Sequence, residues 1–576
     1  MERRTLLAVG LAFLVLYGYQ VFFVPAPQPP AETPATQEQG QAQAAAPAGA
    51  APTPAPAAQP AEPAAIAPQP IVDTLVGETS AREVIVETDA VQAVLTNRGA
   101  RVLHWRLKNY LDDAGQPVDL VPAGGPPNQP TPFTLQVDDA ALTERINSAL
   151  YRVTQPEPRI AVFEFQDASG VNVRKEFRLD PANYIVAFSA SVVRGEQPFN
   201  PTVLWGPGLS DAGATSGGGS IFTGNYVQPP QAIVNVAGDV TRLKPDDVTE
   251  QPVQEASYRF IGIDDHYFLA AAIDPGQVRA EFRPVVVPGA DDTQRRYMTQ
   301  SLQFASAPDG VRFFIGPKKD DLLRAIDIEM VKAIYFGIFA WLVRPLLNAL
   351  NWVHGYVGNY GWSIIILTIL INVVLFPLRH KSVVSMRKMQ LLQPQMKAIQ
   401  DRYKDLKVTD PARQKMNTEV MNLYREKGVN PAAGCVPILL TMPVLIAFYS
   451  LLSVAIELRG APFIGWIHDL SRPDPYFVTP LLMGASMFWQ ARVTPTTADP
   501  NQQKVMMIMP VVFTGMFLWF PSGLNIYYFT SNLWTIGQQY LTNRLVGPAV
   551  PPPPRPPAER RVKSVGAGKS TGAEKK

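Results

Sequence analysis

Polar side chains stand at helical spacing inside apolar stretches of this sequence. In YGWSIIILTILINVVLFPLRHK, Thr368 and Asn372 are four residues apart and Arg379 lies seven beyond Asn372. One face of a helix would therefore carry a hydroxyl, an amide and a guanidinium. In LNIYYFTSNLWTIGQQYL, Asn525, Tyr528, Asn532 and Gln539 fall at i, i+3, i+7 and i+14, a second stripe. Thr441, Tyr449, Ser453, Ser486, Thr514 and Thr535 add further polar groups, and Met442 adds a flexible apolar contact. Such side chains can donate and accept hydrogen bonds. Two uses remain open. The groups can satisfy one another across packed helices, at roughly 0.6 kcal/mol each, or they can line a shared, hydrated cavity.

The elements that hold them are apolar segments of membrane-crossing length. The segment 5–24 is free of charge for 20 residues, which at about 1.5 Å per residue spans a hydrocarbon core. Pro25 and Pro27 flank the one plausible cleavage site, so it reads as an anchor rather than a removed signal. Five further segments follow at 360–378, 434–456, 476–490, 505–520 and 524–541, and the last four contain no Asp, Glu, Lys or Arg. Between Arg379 and Lys427 stand twelve Lys/Arg against five acids, an excess that marks the cytoplasmic side. Within that loop Met389, Leu392, Met396, Ile399 and Tyr403 step by three and four, answered by Met416, Val420 and Leu423. This is the seam of a helical hairpin over 380–430. Its methionines and Arg402 suit a surface that meets partners, and its charges also suffice simply to fix topology.

Between the first crossing and the rest lies a region of different texture. Period-2 runs such as REVIVETDAVQAVLTN and IAVFEFQDASGVNVRKEFRL predict an all-β domain over 71–316, on the far side of the membrane. The second run reads as a hairpin turning at Asp167–Gly170. His266 stands beside Asp264 and Asp265, a pairing that suits general acid–base work. With no nucleophile or third group identifiable, it reads better as a strand-end cluster. The GPG at 206–208 and GGG at 217–219 are turn signals without the strand-then-helix context of a phosphate loop. Residues 317–358 become amphipathic, with Trp341, Arg344 and Trp352, and predict helices at the membrane surface rather than a crossing.

The remainder is linker. Residues 25–70 are mostly Pro, Ala, Gln and Glu, a tether that cannot bury a core; 546–576 is a proline-rich, then basic tail suited to anionic lipid or RNA. Of 576 residues 47% are apolar and 17% charged, as suits a chain part membrane and part globular. A single cysteine, Cys435, excludes an intrachain disulfide. The absence of acids from the last four crossings argues against an ion-coupled transporter, the alternative class for such a helix array. An enzyme would have to place its site on the β domain.

The order of features resembles the YidC-type membrane protein insertases of Gram-negative bacteria. The likeness covers essentially the whole chain. It is carried by YGWSIIILTILI…FPL, SMRKMQLLQPQMKAIQ, GVNPAAGCVPILLTMPVLIAFY, ELRGAPFIGWIHDLSRPDPY and TPTTADPNQQKVMMIMPVVFTGMFLWFPSGLNIYYFTSNLWTIGQQYL. It implies an α-helical polytopic membrane core of six transmembrane helices, counting the anchor 1–24, plus a periplasmic β-supersandwich similar to galactose mutarotases. It implies an insertase core over 359–545 whose hydrophilic groove opens to cytoplasm and lipid, in the inner membrane, with both termini cytoplasmic. Thr368, Asn372, Arg379, Met442, Asn525, Tyr528 and Asn532 are then groove contacts for nascent membrane proteins. The Sec translocon, the ribosome and membrane lipids are the further expected partners; no cofactor, metal or catalytic residue is expected. One position departs. Many relatives carry an arginine four residues after the Thr and five before the Pro of the second crossing, where this chain has Asn372. The expectation is a groove without its usual fixed cation, relying on hydration, with Arg379 contributing from the cytoplasmic mouth.

Overall fold

Alternation of apolar and polar residues builds the first half of the chain. The computed structural model describes residues 73–546 apart from 113, 123–129, 210–227, 229, 251, 289–293, 404–411, 430–435 and 495–499. The anchor 1–24, the tether 25–70, the tail beyond 546, the GGG at 217–219 and Cys435 lie outside the described residues. In Val171–Leu179 every second side chain is buried, and the strand pairs antiparallel with Ile160–Asp167, Phe165 opposite Val173. The turn between them is the one the sequence implies. Asp167 Oδ1 accepts from the Ser169 and Val171 amides, and Gly170 supplies φ +84°, which a side chain would resist.

Among the described residues fourteen strands form one antiparallel sheet, and four more (Glu83–Glu87, Val91–Thr96, Arg101–Leu111, Pro117–Asp119) form a second. The two are joined through the interior: the buried Trp105 of the small sheet donates its indole N–H to Ile315 O of the large one, at 3.0 Å. Phe133, Phe163, Phe177, Phe188 and Phe313 fill the space between, with Phe133 edge-on to Phe177 at 5.3 Å and to Phe313 at 5.2 Å. Each such ring contributes roughly 1.5–3 kcal/mol on burial. Lys175 is fully buried among them. Its ammonium donates to Gly99 O, Ala100 O and Phe133 O at 2.7–3.0 Å, and these three residues all have positive φ. The lysine thus satisfies carbonyls that unusual backbone turns aim inward. Two short helices interrupt the β region where its period-2 pattern had suggested none, α1 (Ala140–Ser148) and α2 (Pro245–Glu250). Asp139 caps α1 by accepting from the Leu142 amide.

From residue 320 the chain is helical: α3 (Asp320–Ile326), α4 (Ala340–Val357), α5 (Tyr360–Leu391), α6 (Gln393–Arg402), α7 (Ala412–Glu426), α8 (Val436–Val454), α9 (Val478–Val493), α10 (Pro500–Phe517) and α11 (Ser522–Val546). On α4, Trp341, Trp352 and Tyr356 are exposed while Val343, Leu347 and Leu350 are buried. The aromatic, amphipathic face read from the sequence is present. Helix α5 overruns its expected end at 378 and continues through Pro377 to 391. A proline removes one amide donor, and the basic, leucine- and methionine-containing run after it remains helix-forming. By length and composition α5 is the one described helix apolar enough to cross a membrane; Thr441–Val454 and Met506–Phe517 are shorter apolar helices. The polar stripe of α11 is what lowers its hydropathy.

Residues 399–403 and 416–419 pack as their own small unit. Tyr403 is buried against Ile399 and Met416, its hydroxyl donates to Glu419 Oε1 at 2.8 Å, and Arg402 donates to Glu419 Oε2 at 2.8 Å. Just outside that unit, the Tyr424 hydroxyl meets the Met396 sulfur at 3.0 Å, and Met389 is buried at the end of α5.

Candidate functional site

The two polar stripes meet. Thr368 is fully buried and returns its hydroxyl to Ile364 O at 2.6 Å, the local bond that lets a threonine sit within an apolar helix. Asn372, also buried, donates to Thr368 O at 2.8 Å. Its side-chain oxygen points the other way and accepts from Arg379 Nη1 at 2.6 Å. The same guanidinium nitrogen reaches Thr535 Oγ1 of α11 at 3.3 Å. The expectation of a site without a fixed cation is therefore corrected. Arg379 is not confined to the mouth of the site; it is buried and extends back across two turns to Asn372. Seven residues bring the two side chains to nearly one face, and the long arginine stem covers the intervening rise of about 10 Å.

The α5–α11 seam continues in the same manner. Gln538 donates to Phe376 O at 3.5 Å, His380 Nδ1 lies 3.2 Å from Thr542 Oγ1, and Arg387 bonds Asn543. Across to α9, Asn532 donates to Ser486 Oγ at 2.9 Å. Helix α9 in turn lies close against α10: a Cβ on Gly484 would collide with Thr514 Oγ1. Asn525 is buried near the end of α10, donating to Phe517 O at 3.4 Å, and Tyr528 packs its ring on Phe517 at 5.7 Å. Met442 is exposed on α8 and stands apart from this hydrogen-bonded set.

Part of the polar inventory is thus used in interhelical bonding, and part is left over. Arg379 Nε, Asn525 Oδ1, Gln538 Oε1 and Trp534 Nε1 are buried with no hydrogen-bond partner. Among the described residues no carboxylate pairs with Arg379, whose two side-chain partners, Asn372 and Thr535, are neutral. A buried cation without a counter-ion and with an open donor is costly unless something polar comes to meet it. Sequence reasoning missed Gln538 and His380 as seam residues. Gln538 lies one position off the stripe through Gln539, and His380 follows the proline where the crossing was expected to end. Among the described residues no group of three or more His, Cys, Asp or Glu is placed to hold a metal.

Residues 83–349 match the YidC periplasmic domain family, and 352–548 the 60Kd inner membrane protein family. The membrane protein insertase YidC of Geobacter metallireducens is 34% identical over 572 residues, covering 95% of this chain and 99% of that protein. The chain belongs to the YidC family. The YidC insertase of Ralstonia nicotianae is likewise 34% identical, over 95% of this chain and 98% of its own length. A crystal structure of an active YidC insertase with its first transmembrane domain resolved aligns over 82% of this chain and 95% of its own, at 19% identity and a TM-score of 0.36. The YidC matches make this an inner-membrane insertase with a periplasmic domain, and the β-rich half is that domain.

Proposed function

We propose that the chain inserts and folds integral membrane proteins through the seam between α5, α9 and α11, acting alone or beside the Sec translocon. The observation that carries this reading is the buried Arg379, which has no carboxylate partner among the described residues and is held against Asn372 in helices otherwise free of acids. A polar segment of a nascent protein enters the seam and finds there the donors and acceptors that lipid lacks. Its apolar helix meanwhile moves along the exposed apolar faces of α5 and α10, where Val373, Val374, Ile508, Val511 and Val512 are uncovered. Moving such a segment through bare hydrocarbon would strand its polar groups at several kcal/mol each, so a few well-placed partners lower the barrier without any bond being made or broken. No catalytic chemistry is required.

The finer architecture belongs to the same proposal. Six crossings include the anchor 1–24, both termini are cytoplasmic, and the hairpin 380–430 with the basic tail meets the ribosome and anionic lipid. The 71–316 domain is a supersandwich on the periplasmic side. In vivo photo-crosslinking from positions 372, 379 and 532 to nascent single-span proteins tests the reading. Crosslinks from all three, with none from the exposed face at Val374 before the client's helix arrives, are expected. Clients that crosslink only from 374 would overturn the seam as the route.

A further inference from the structure

One junction between the periplasmic domain and the membrane helices is built with more care than packing alone requires. Strand Val253–Asp264 turns into Phe268–Pro288 through Asp265, His266 and Tyr267. His266 is buried, and its Nε2 lies 2.6 Å from Ser453 O, one residue from the C-terminus of α8. Its other ring nitrogen, Nδ1, accepts from the Gln228 amide at 3.1 Å. A backbone N–H can only donate, so Nδ1 carries no proton, and the proton on Nε2 is the one given to Ser453 O. The ring is neutral and its tautomer fixed at both ends. The carbonyl it reaches is one of the last four of α8, which have no partner inside the helix.

The turn is itself immobilised. Asp264 accepts from Lys318 Nζ at 2.7 Å, Gln228 Nε2 at 2.6 Å and Gln231 Nε2 at 3.1 Å, with Arg242 at 3.7 Å; Lys318 also donates to Asp265 O at 2.6 Å. From the helical side, the Arg459 guanidinium lies over the rings of Tyr267 and Phe268 at 5.4 and 5.1 Å. We propose that His266 is a positioning residue that pins the C-terminal end of α8 to the periplasmic domain, and that acidification releases the pin.

The release follows from the geometry. A second proton on the ring must go to Nδ1, where it would face the Gln228 N–H head-on. The charged groups around the ring divide. Lys318 and Arg459 oppose a positive imidazole; Asp264 and the carbonyl end of α8 favour it. Burial outweighs both sets and holds the ring's pKa down to about 4 from 6.5. Once the junction parts, the ring is wet and titrates near its ordinary value. The docked state is therefore at full strength above about 6.5 and loses ground as pH falls, until the docked ring itself is protonated near 4. Over that window the docking equilibrium weakens on the order of 10²-fold.

The test uses the full-length protein in nanodiscs, with Cys435→Ser and spin labels at Ala182→Cys and Pro475→Cys, both exposed positions on either side of the junction. At pH 7.5 one narrow distance population is expected. At pH 4.5 a second, broader one should appear in this parent protein and be absent from His266→Gln, which keeps a donor but cannot titrate. A parent that stays closed at pH 4.5, or a glutamine variant that opens equally, overturns the proposal. Independently, ring ¹⁵N spectra of a chain whose other four histidines are replaced by glutamine should show a neutral, Nε2-protonated His266 at pH 7.5. A titration midpoint near the free value of about 6.5 would refute the pin without any change to His266. Both readouts report on the junction alone, so their failure would leave the seam reading untouched.

Discussion

Replacing Arg379 by methionine separates structural from functional use of the seam. The substitution keeps most of the side-chain volume and removes the guanidinium. Asn372 Oδ1 then loses its 2.6 Å donor in a buried setting, a cost of about 1–3 kcal/mol. Against this, an arginine within a membrane segment costs about 2.5–3.5 kcal/mol on insertion scales, and that cost disappears. The two effects oppose each other and are of similar size, so the melting temperature should move by only a few degrees. Client insertion has no such offset. A client carboxylate about 5 Å from the guanidinium gains about 3 kcal/mol at an effective dielectric near 20, and residual hydration reduces this to about 1–2 kcal/mol. Insertion of a single-span client with one acidic residue in its translocated tail should therefore slow roughly 5–30-fold, and the Asn-for-Asp version of the same client less than about twofold. The assay is protease protection in proteoliposomes without an ion gradient. Equal losses for both clients, or a collapse of the melting temperature, would refute the argument that Arg379 serves the client rather than the fold.

Two further outcomes follow from other parts of the molecule. Glu457, buried just beyond α8 near Asp320 and Asp321, has its carboxyl pushed up to about 7 chiefly by burial. The folded protein prefers it protonated, so stability declines as pH rises from the ordinary value of about 4.5 through 7; Glu457→Gln should stabilise the protein at pH 8 by up to about 3 kcal/mol, read as a higher melting temperature, and change little at pH 4.5. Gly484→Ala should lower stability by about 1 kcal/mol or more because its Cβ would collide with Thr514 Oγ1, and Thr514→Ala in the same chain should restore much of the loss in a thermal melt.

The hairpin at 160–179 was legible because local rules decide it: alternation sets the strands, and an aspartate and a glycine set the turn. The pairing of Asn372 with Arg379 was half legible. Helical period placed the two on nearly one face, but whether the arginine would reach back into the seam or snorkel outward depends on α11, which offers Thr535. That the crossing 360–378 runs without interruption into the first arm of the hairpin was not legible, because a proline signals a bend locally while the residues after it still favour helix. His266 was visible as a strand-end histidine, yet its partner Ser453 stands 187 positions away, and its donor Gln228 belongs to a third segment. The alternation of Val171–Leu179 puts Lys175 in phase with the buried Val173 and Phe177, but only the folded sheets show the three inward carbonyls that receive its ammonium. Contacts of that kind come from tertiary closure and leave no periodic trace.

Pro377 lies between Asn372 and Arg379. Lacking an amide hydrogen, it leaves Val373 O without its usual partner and makes a soft joint in a rod of about 48 Å. The bond from Arg379 to Asn372 bridges that joint like a splint, fastened on one side by Thr368 O. A guest that drew either side chain to itself would unfasten the splint, and the half of α5 beyond the proline would then be free to swing relative to the half before it. Occupancy of the seam would then be converted into bending of α5, the longest of the described helices, with no part needing to unfold.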